Sequence, residues 1–424
     1  MFRSTTFYNL RELSRRIWVR IALISALALV AATIAPLISP WLPEELKDRI
    51  DEEAVSDLLR VLSGSMLAVA TFSLSVMVAA HHYAASQVTP RAHRLLRDDE
   101  GTQSVLATFI GAFVYALVAV VVVNAGFFAG RDYLVLYGMT ILVMLMVTVA
   151  LVRWVERLTD LGSVEQTIER VEAVVHDAME KRMAVPWLGG RPAEGAVPDG
   201  AISVPAQRFG WVAHVDMARL SSLAEEAGAG VRLHAVPGAR AIPGMALMHV
   251  VVPRLSVEAQ DAMAATVTVA SRRNFDQDPE FGVEVMSEIA QRALSPGLND
   301  PRTAVDVIAR QLRILSLWPD TPSGVEEPRF PQVTVPPIEA DVLLIAALDH
   351  VARDGAHLVE VQVAVQDALR LLADHGAEDM SRAARRLSAR CLERSDKALT
   401  LAEDRRRVRG AAPGSRVAEG AAAG

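Results

Sequence analysis

The chain has 424 residues, of which 51% are hydrophobic and 22% charged, with a formal charge of -7 at pH 7 and a single cysteine. That length allows two or three domains, and the acidic balance leaves no basic footprint for nucleic acid. Cys391 alone can neither close an intrachain disulfide nor build a zinc site.

The apolar residues are concentrated in the first third, where residues 21–42, 61–80, 105–128 and 133–152 contain no Asp, Glu, Lys or Arg. Each run has about the 20 residues needed to cross roughly 30 Å of hydrocarbon, so four transmembrane helices are predicted within a membrane domain of residues 1–152. The first run exceeds the roughly 7 to 15 apolar residues of a signal peptide, and further spans follow it. Pro36, Pro40 and Pro43 mark its outer end, where a missing backbone donor costs least.

Basic residues in the flanks set the orientation. Arg3, Arg11, Arg15, Arg16 and Arg20 precede the first span; Arg91, Arg94 and Arg97 lie between the second and third; Arg153 and Arg157 follow the fourth. These flanks are expected in the cytoplasm, which places both termini there. Within the second span Gly64, Ala68, Thr71 and Ser75 recur at helical spacing. Such a stripe suits close helix packing, or it can line an aqueous path in an oligomer.

Beyond the fourth span, apolar residues from Trp154 to Met179 recur at threes and fours among charges, which predicts an amphipathic connecting helix over residues 153–185. It can form a stalk between subunits or pack on its own domain. A Gly- and Pro-rich loop follows. Residues 206–253 carry short β signals around one helix, with turns at Pro237-Gly238 and Pro243-Gly244, and predict a small β module. Its turns are similar to those of barrel-sandwich hybrid domains, but no lysine stands at a hairpin tip, so no swinging cofactor is expected. His214, His234 and His249 read as ordinary strand-face histidines. Residues 254–406 read as a helical cytoplasmic domain, its first helix over 256–273, and residues 407–424 as a disordered tail. The fold class expected is a mainly α membrane protein whose four spans are followed by an α+β domain with a β module and a helical bundle.

Two stretches carry a family resemblance. One is Ala85-Ser86-Gln87-Val88-Thr89-Pro90-Arg91, at the end of the second span. The other is RNFDQDPEFGVEVMSEIAQRALSPGLNDPRTA, from Arg273 to Ala304. Together they resemble the bacterial predicted membrane proteins known as domain of unknown function 2254. In that family an Arg-Thr-x-x-Gln-Asp-x-x-Phe-Gly segment precedes Ala-Leu-Ser-Pro-Gly-x-Asn-Asp-Pro, and here Asn274 stands in place of the threonine. The resemblance covers nearly the whole chain up to the tail; it implies a bacterial inner membrane and no particular activity.

The second stretch supplies the candidate site: Arg273, Gln277, Asp278, Phe281, Gly282, Arg292, Ser295, Pro296, Asn299, Asp300 and Pro301. Asp300 followed by Pro301 is a helix start, a carboxylate accepting from orphan N–H groups ahead of a residue that needs no donor. Gly282 and Gly297 would permit tight backbone geometry. The competing reading is a polar pocket that takes an anion at the helix beginning near Pro301. The candidate membrane face is Gly64, Thr71 and Ser75. No nucleophile with a base and no metal cluster is apparent, so an enzyme is the weakest of three functional readings. The leading reading is a homo-oligomeric ion or small-solute conduit gated by its cytoplasmic domain. The alternative is a membrane-anchored sensor or scaffold for a small ligand or protein. The expected partners are the lipid bilayer and further copies of the chain, and no cofactor is indicated.

Overall fold

A computed structural model describes residues 17–41, 52–87, 89–92, 100–128, 132–160, 163–185, 187–319, 328–374 and 377–414. Most of the arginines used for orientation, and the last ten residues, lie outside that set. The chain divides into two units: residues 1–86 with 96–164, and residues 87–95 with 165–424.

The first unit holds α1 (Ile17–Ile38), α2 (Glu52–Gln87), α3 (Glu100–Asn124) and α4 (Asp132–Asp160). Each contains a stretch long and apolar enough to cross a membrane. α2 starts well before the predicted span because Val55, Leu59 and Leu62 are buried in the bundle, and α4 outruns it because Trp154 is buried there too. The closest seam lies between α1 and α3. Ala28, Ala31 and Ala35 are fully buried, as are Ala112, Ala116 and Ala119, and a Cβ added at Gly111 would stand 2.9 Å from Ile24 Cβ. In lipid, apolar side chains gain nothing by leaving their solvent, so helices associate where small residues let backbones approach. A polar contact lies inside this bundle: the Tyr115 hydroxyl and Thr140 Oγ1 are 3.0 Å apart, and Thr140 donates to Leu136 O.

The second unit opens with α5 (Val164–Ala184), followed by β1 (Arg191–Pro192), β2 (Ile202–Pro205), β3 (Gly210–Val215), α6 (Met217–Glu226), β4 (Gly230–Leu233), β5 (Arg240–Ala241), β6 (Ala246–Val251), α7 (Val257–Ala264) and β7 (Val267–Ala270). Then come α8 (Pro279–Ala293), α9 (Pro301–Leu315), β8 (Val333–Val335), α10 (Ala340–Leu344), a π turn at Ile345–Asp349, α11 (His350–Asp354), α12 (Val359–Ala373), α13 (Glu378–Ala398) and α14 (Ala402–Ala411). The strands form a five-stranded sheet in the order β1-β8-β4-β6-β2 and a three-stranded sheet in the order β5-β3-β7. Val212, Leu220, Val231, Met248, Val250 and Val333 form part of the core they share.

Four sequence expectations change here. The predicted connecting helix is two helices, α4 running on to Asp160 and α5 starting at Val164. α5 packs on its own unit through wholly buried Val171 and Val175, and Glu172 receives Arg310 and Arg313 of α9. The β module is not confined to residues 206–253: β2 precedes it, β7 occupies part of the predicted helix 256–273, and β8 is inserted beside β4 from far along the chain. Alternation over four residues cannot be told from a helix's last turn until the pairing strand is known. Residues 407–411, expected in the tail, belong to a helix. α14 carries through to Ala411 because Val408 and Ala411 are buried, and nothing is described beyond residue 414.

Candidate functional site

α8 begins with the device expected at Asp300. Asp278 Oδ1 accepts from Phe281 N at 3.0 Å, and Pro279 follows where no donor is required. The same carboxylate takes a two-point contact from Arg273, with Nε to Oδ2 at 2.6 Å and Nη2 to Oδ1 at 2.8 Å. Such forked pairs are the strongest of the charged hydrogen bonds. Arg273 also donates to Glu284 at 2.9 Å and lies over the rings of Phe281 and Trp211. Burial works against the Arg273 cation, but Asp278, then Glu280 and Glu284, more than offset it and hold its pKa above the ordinary arginine value. Gly238 is the reason the carboxylate fits. It takes φ +93, and a Cβ there would fall 2.6 Å from Asp278 Oδ2.

A second arginine reaches this cluster from the segment that links α2 to α3. Thr89 Oγ1 accepts from Ala92 N, so Thr89 caps a short turn and Pro90 opens it. The turn directs Arg91 to Glu284 at 2.8 Å and Glu288 at 2.5 Å, with its guanidinium 5.8 Å from the Phe281 ring. Burial raises the pKa of Glu288, while Arg91 opposes the shift. Burial likewise raises that of Glu280, against the pull of Arg273. The two stretches of the family pattern therefore meet through Arg91. Sequence reasoning missed Arg91, Glu284 and Glu288 as site residues. The available signal was Glu280, Glu284 and Glu288 at four-residue spacing, one acidic stripe on a single helix face.

The predicted site residues separate into two groups. Arg273, Gln277, Asp278, Phe281 and Gly282 stand at the start of α8. Arg292 is exposed in its last turn, and Ser295, Pro296, Asn299, Asp300 and Pro301 form the turn into α9. At about 1.5 Å per residue the helix sets the groups roughly 20 Å apart. Asp300 is an N-cap, accepting from the N–H groups of Arg302 and Thr303 and from the Thr303 hydroxyl at 2.6 Å. The Thr303 hydroxyl chiefly holds its carboxyl below the usual carboxylate range. The backbone of this turn closes on itself, with Asn299 N donating to Ser295 O and Asp300 N to Ala293 O. Asn299, at φ 49, supplies the left-handed residue, whereas Gly297 meets nothing within 4 Å and needs no special freedom. Gly282 serves packing instead, since a Cβ there would stand 2.7 Å from Val175 of α5.

Gln277 belongs to a different feature. Its Oε1 accepts from Val215 N at 3.1 Å, and it helps line a cavity of about 390 Å³. Arg182 lies in the same wall, only 5% exposed, and its Nε and Nη1 have no hydrogen-bond partner among the described residues. Burial lowers its pKa to about 10, with the charge of Asp278 pulling the other way. Among the three strand histidines, His234 and His249 meet edge to face at 5.9 Å, and His214 lines this cavity.

In the membrane unit, Gly64, Thr71 and Ser75 are exposed on α2, on the side away from buried Leu62, Met66 and Ala70. Thr71 and Ser75 return their hydroxyls to their own helix, at Leu67 O and Thr71 O. The small-residue stripe used inside the unit is therefore the α1/α3 seam, not this one.

These features define a four-span membrane protein with a second unit of helices and small sheets that contains α8. The chain belongs to the family described as Predicted membrane protein (DUF2254), whose sequence model matches residues 14–371. No curated protein and no solved structure matches it.

Proposed function

We propose that copies of this chain assemble in a bacterial inner membrane, with both termini in the cytoplasm, as a homo-oligomeric conduit for ions or small solutes, and that the soluble unit controls it. The observation that carries this reading is the outward face of α2. Gly64, Thr71 and Ser75 are exposed among the described residues, although small and hydroxylated residues in lipid are typical of helix contacts or water-lined paths. Control is supported by the segment joining α2 to α3, which belongs to the soluble unit and is tied to α8 by Arg91. In this reading the protein has no catalytic role.

The test is reconstitution into liposomes with ion flux as the readout, alongside thiol labelling in a Cys391→Ser background. Thr71→Cys and Ser75→Cys should react with small hydrophilic reagents under conditions that activate flux, and lipid-facing Phe72→Cys should not. Arg91→Ala should change flux while leaving that labelling pattern intact. Silence at both positions under every condition, with a monomeric mass in detergent, would remove the conduit.

A further inference from the structure

The cavity beside α5 is walled by Arg182, His214, Asp216, Asp276 and Gln277, with Ala178, Val185, Leu188, Val215 and Met217 supplying apolar surface. Its volume of about 390 Å³ lies within the range of small-molecule sites. Arg182 is the anomaly in this wall. A buried guanidinium is ordinarily paired, because leaving its N–H groups unsatisfied costs their full desolvation. Asp278 favours the cation through its charge, but its carboxylate is engaged elsewhere. Both oxygens of Asp278 are held by Arg273, and Oδ1 also takes Phe281 N.

We propose that this cavity binds a small organic monocarboxylate, its head group taken by Arg182 and its short apolar body lying against Val185, Val215 and Met217. A carboxylate supplies the planar pair of acceptors that a guanidinium matches. The other polar groups of the wall narrow the class. Lys181 is paired with Asp177 at 2.6 Å, Asp216 caps α6 by accepting from Arg219 N, and Asp276 accepts from Asn274. The two carboxylates would repel a polyanion such as a nucleotide, so a ligand carrying one negative charge fits best. The site stands independently of the conduit reading, since all its residues lie in the soluble unit.

The test is calorimetric titration of the full chain in nanodiscs with hexanoate, hexanamide and inorganic phosphate. Hexanoate should bind at least tenfold more tightly than hexanamide or phosphate. Arg182→Met should abolish the preference for hexanoate over hexanamide. It should still fold, because it replaces a buried guanidinium whose Nε and Nη1 have no hydrogen-bond partner among the described residues with an apolar chain of similar length. Ala178→Leu, which narrows the cavity and keeps the arginine, should weaken hexanoate and hexanamide alike. No heat with hexanoate, equal binding of acid and amide, tighter binding of phosphate, or a folded Arg182→Met that still prefers hexanoate would each overturn the proposal.

Discussion

Gly111 in α3 faces Ile24 of α1, and Gly282 in α8 faces Val175 of α5; at either glycine an added Cβ would come within 3 Å of the opposing side chain. The local geometry is similar, but the surroundings are not. Around Gly111 the seam is lined with alanines, and cohesion comes from close approach, because lipid is as apolar as the side chains it would replace. Around Gly282 the neighbours are branched apolar residues driven out of water. Charge is organised along one face of the helix, from its cap onward, where Arg273 and Arg91 meet Asp278, Glu284 and Glu288. The membrane unit thus gains specificity from size, and the soluble unit gains it from burial and from paired charge.

The largest effect should come from breaking the charge pairing. Asp278→Ala leaves Arg273 buried without its forked partner and uncaps α8, so a loss of about 3–5 kcal/mol is expected. It would appear as a fall in the urea midpoint of the soluble unit. A loss below about 1 kcal/mol would mean that Glu284 alone holds the arginine. The glycine pair comes next. Gly282→Ala and Gly111→Ala should each cost about 1–3 kcal/mol by overpacking. Gly64→Ala, with nothing within 4 Å in the unit, should be silent in a monomer and should disturb only an assembly that uses that face.

Asp300→Ala should remove about 0.5–2 kcal/mol through the lost cap. Its pH dependence has a defined sign. The folded carboxyl titrates below its ordinary value of 3.8, so the cap contributes in full above about pH 4. That contribution is lost as pH falls through the folded value, and the gap between wild type and variant should close on acidification. A gap that widens toward low pH would show that Asp300 acts in some other way.

The smallest effect is the expected silence of Cys391. Burial pushes its thiol up to about 12, so at pH 8 it should stay unlabelled in the native chain and react only as the soluble unit unfolds. Labelling that tracks the urea transition would make it a reporter for the variants above, and prompt labelling of the native protein would contradict its burial.

The sequence by itself determined the four spans and the cap at Asp300, because these depend on residues close together along the chain. An uncharged run of about 20 residues has few stable homes besides a bilayer, and a carboxylate before a proline satisfies its own helix whatever surrounds it. Tertiary structure alone decided the rest. The Gly64, Thr71 and Ser75 stripe looked like the small-residue contact, but the alanines of α1 and α3 make the seam inside the unit, since partner and face are set by the other helices. β8 joins β4 across about a hundred residues, and Arg91 meets Glu284 and Glu288 across nearly two hundred. That Nε and Nη1 of Arg182 find no acceptor among the described residues emerges only when burial and the neighbouring acceptors are considered together. Each of these is a long-range pairing, and periodicity along one segment carries no information about which distant segment will face it.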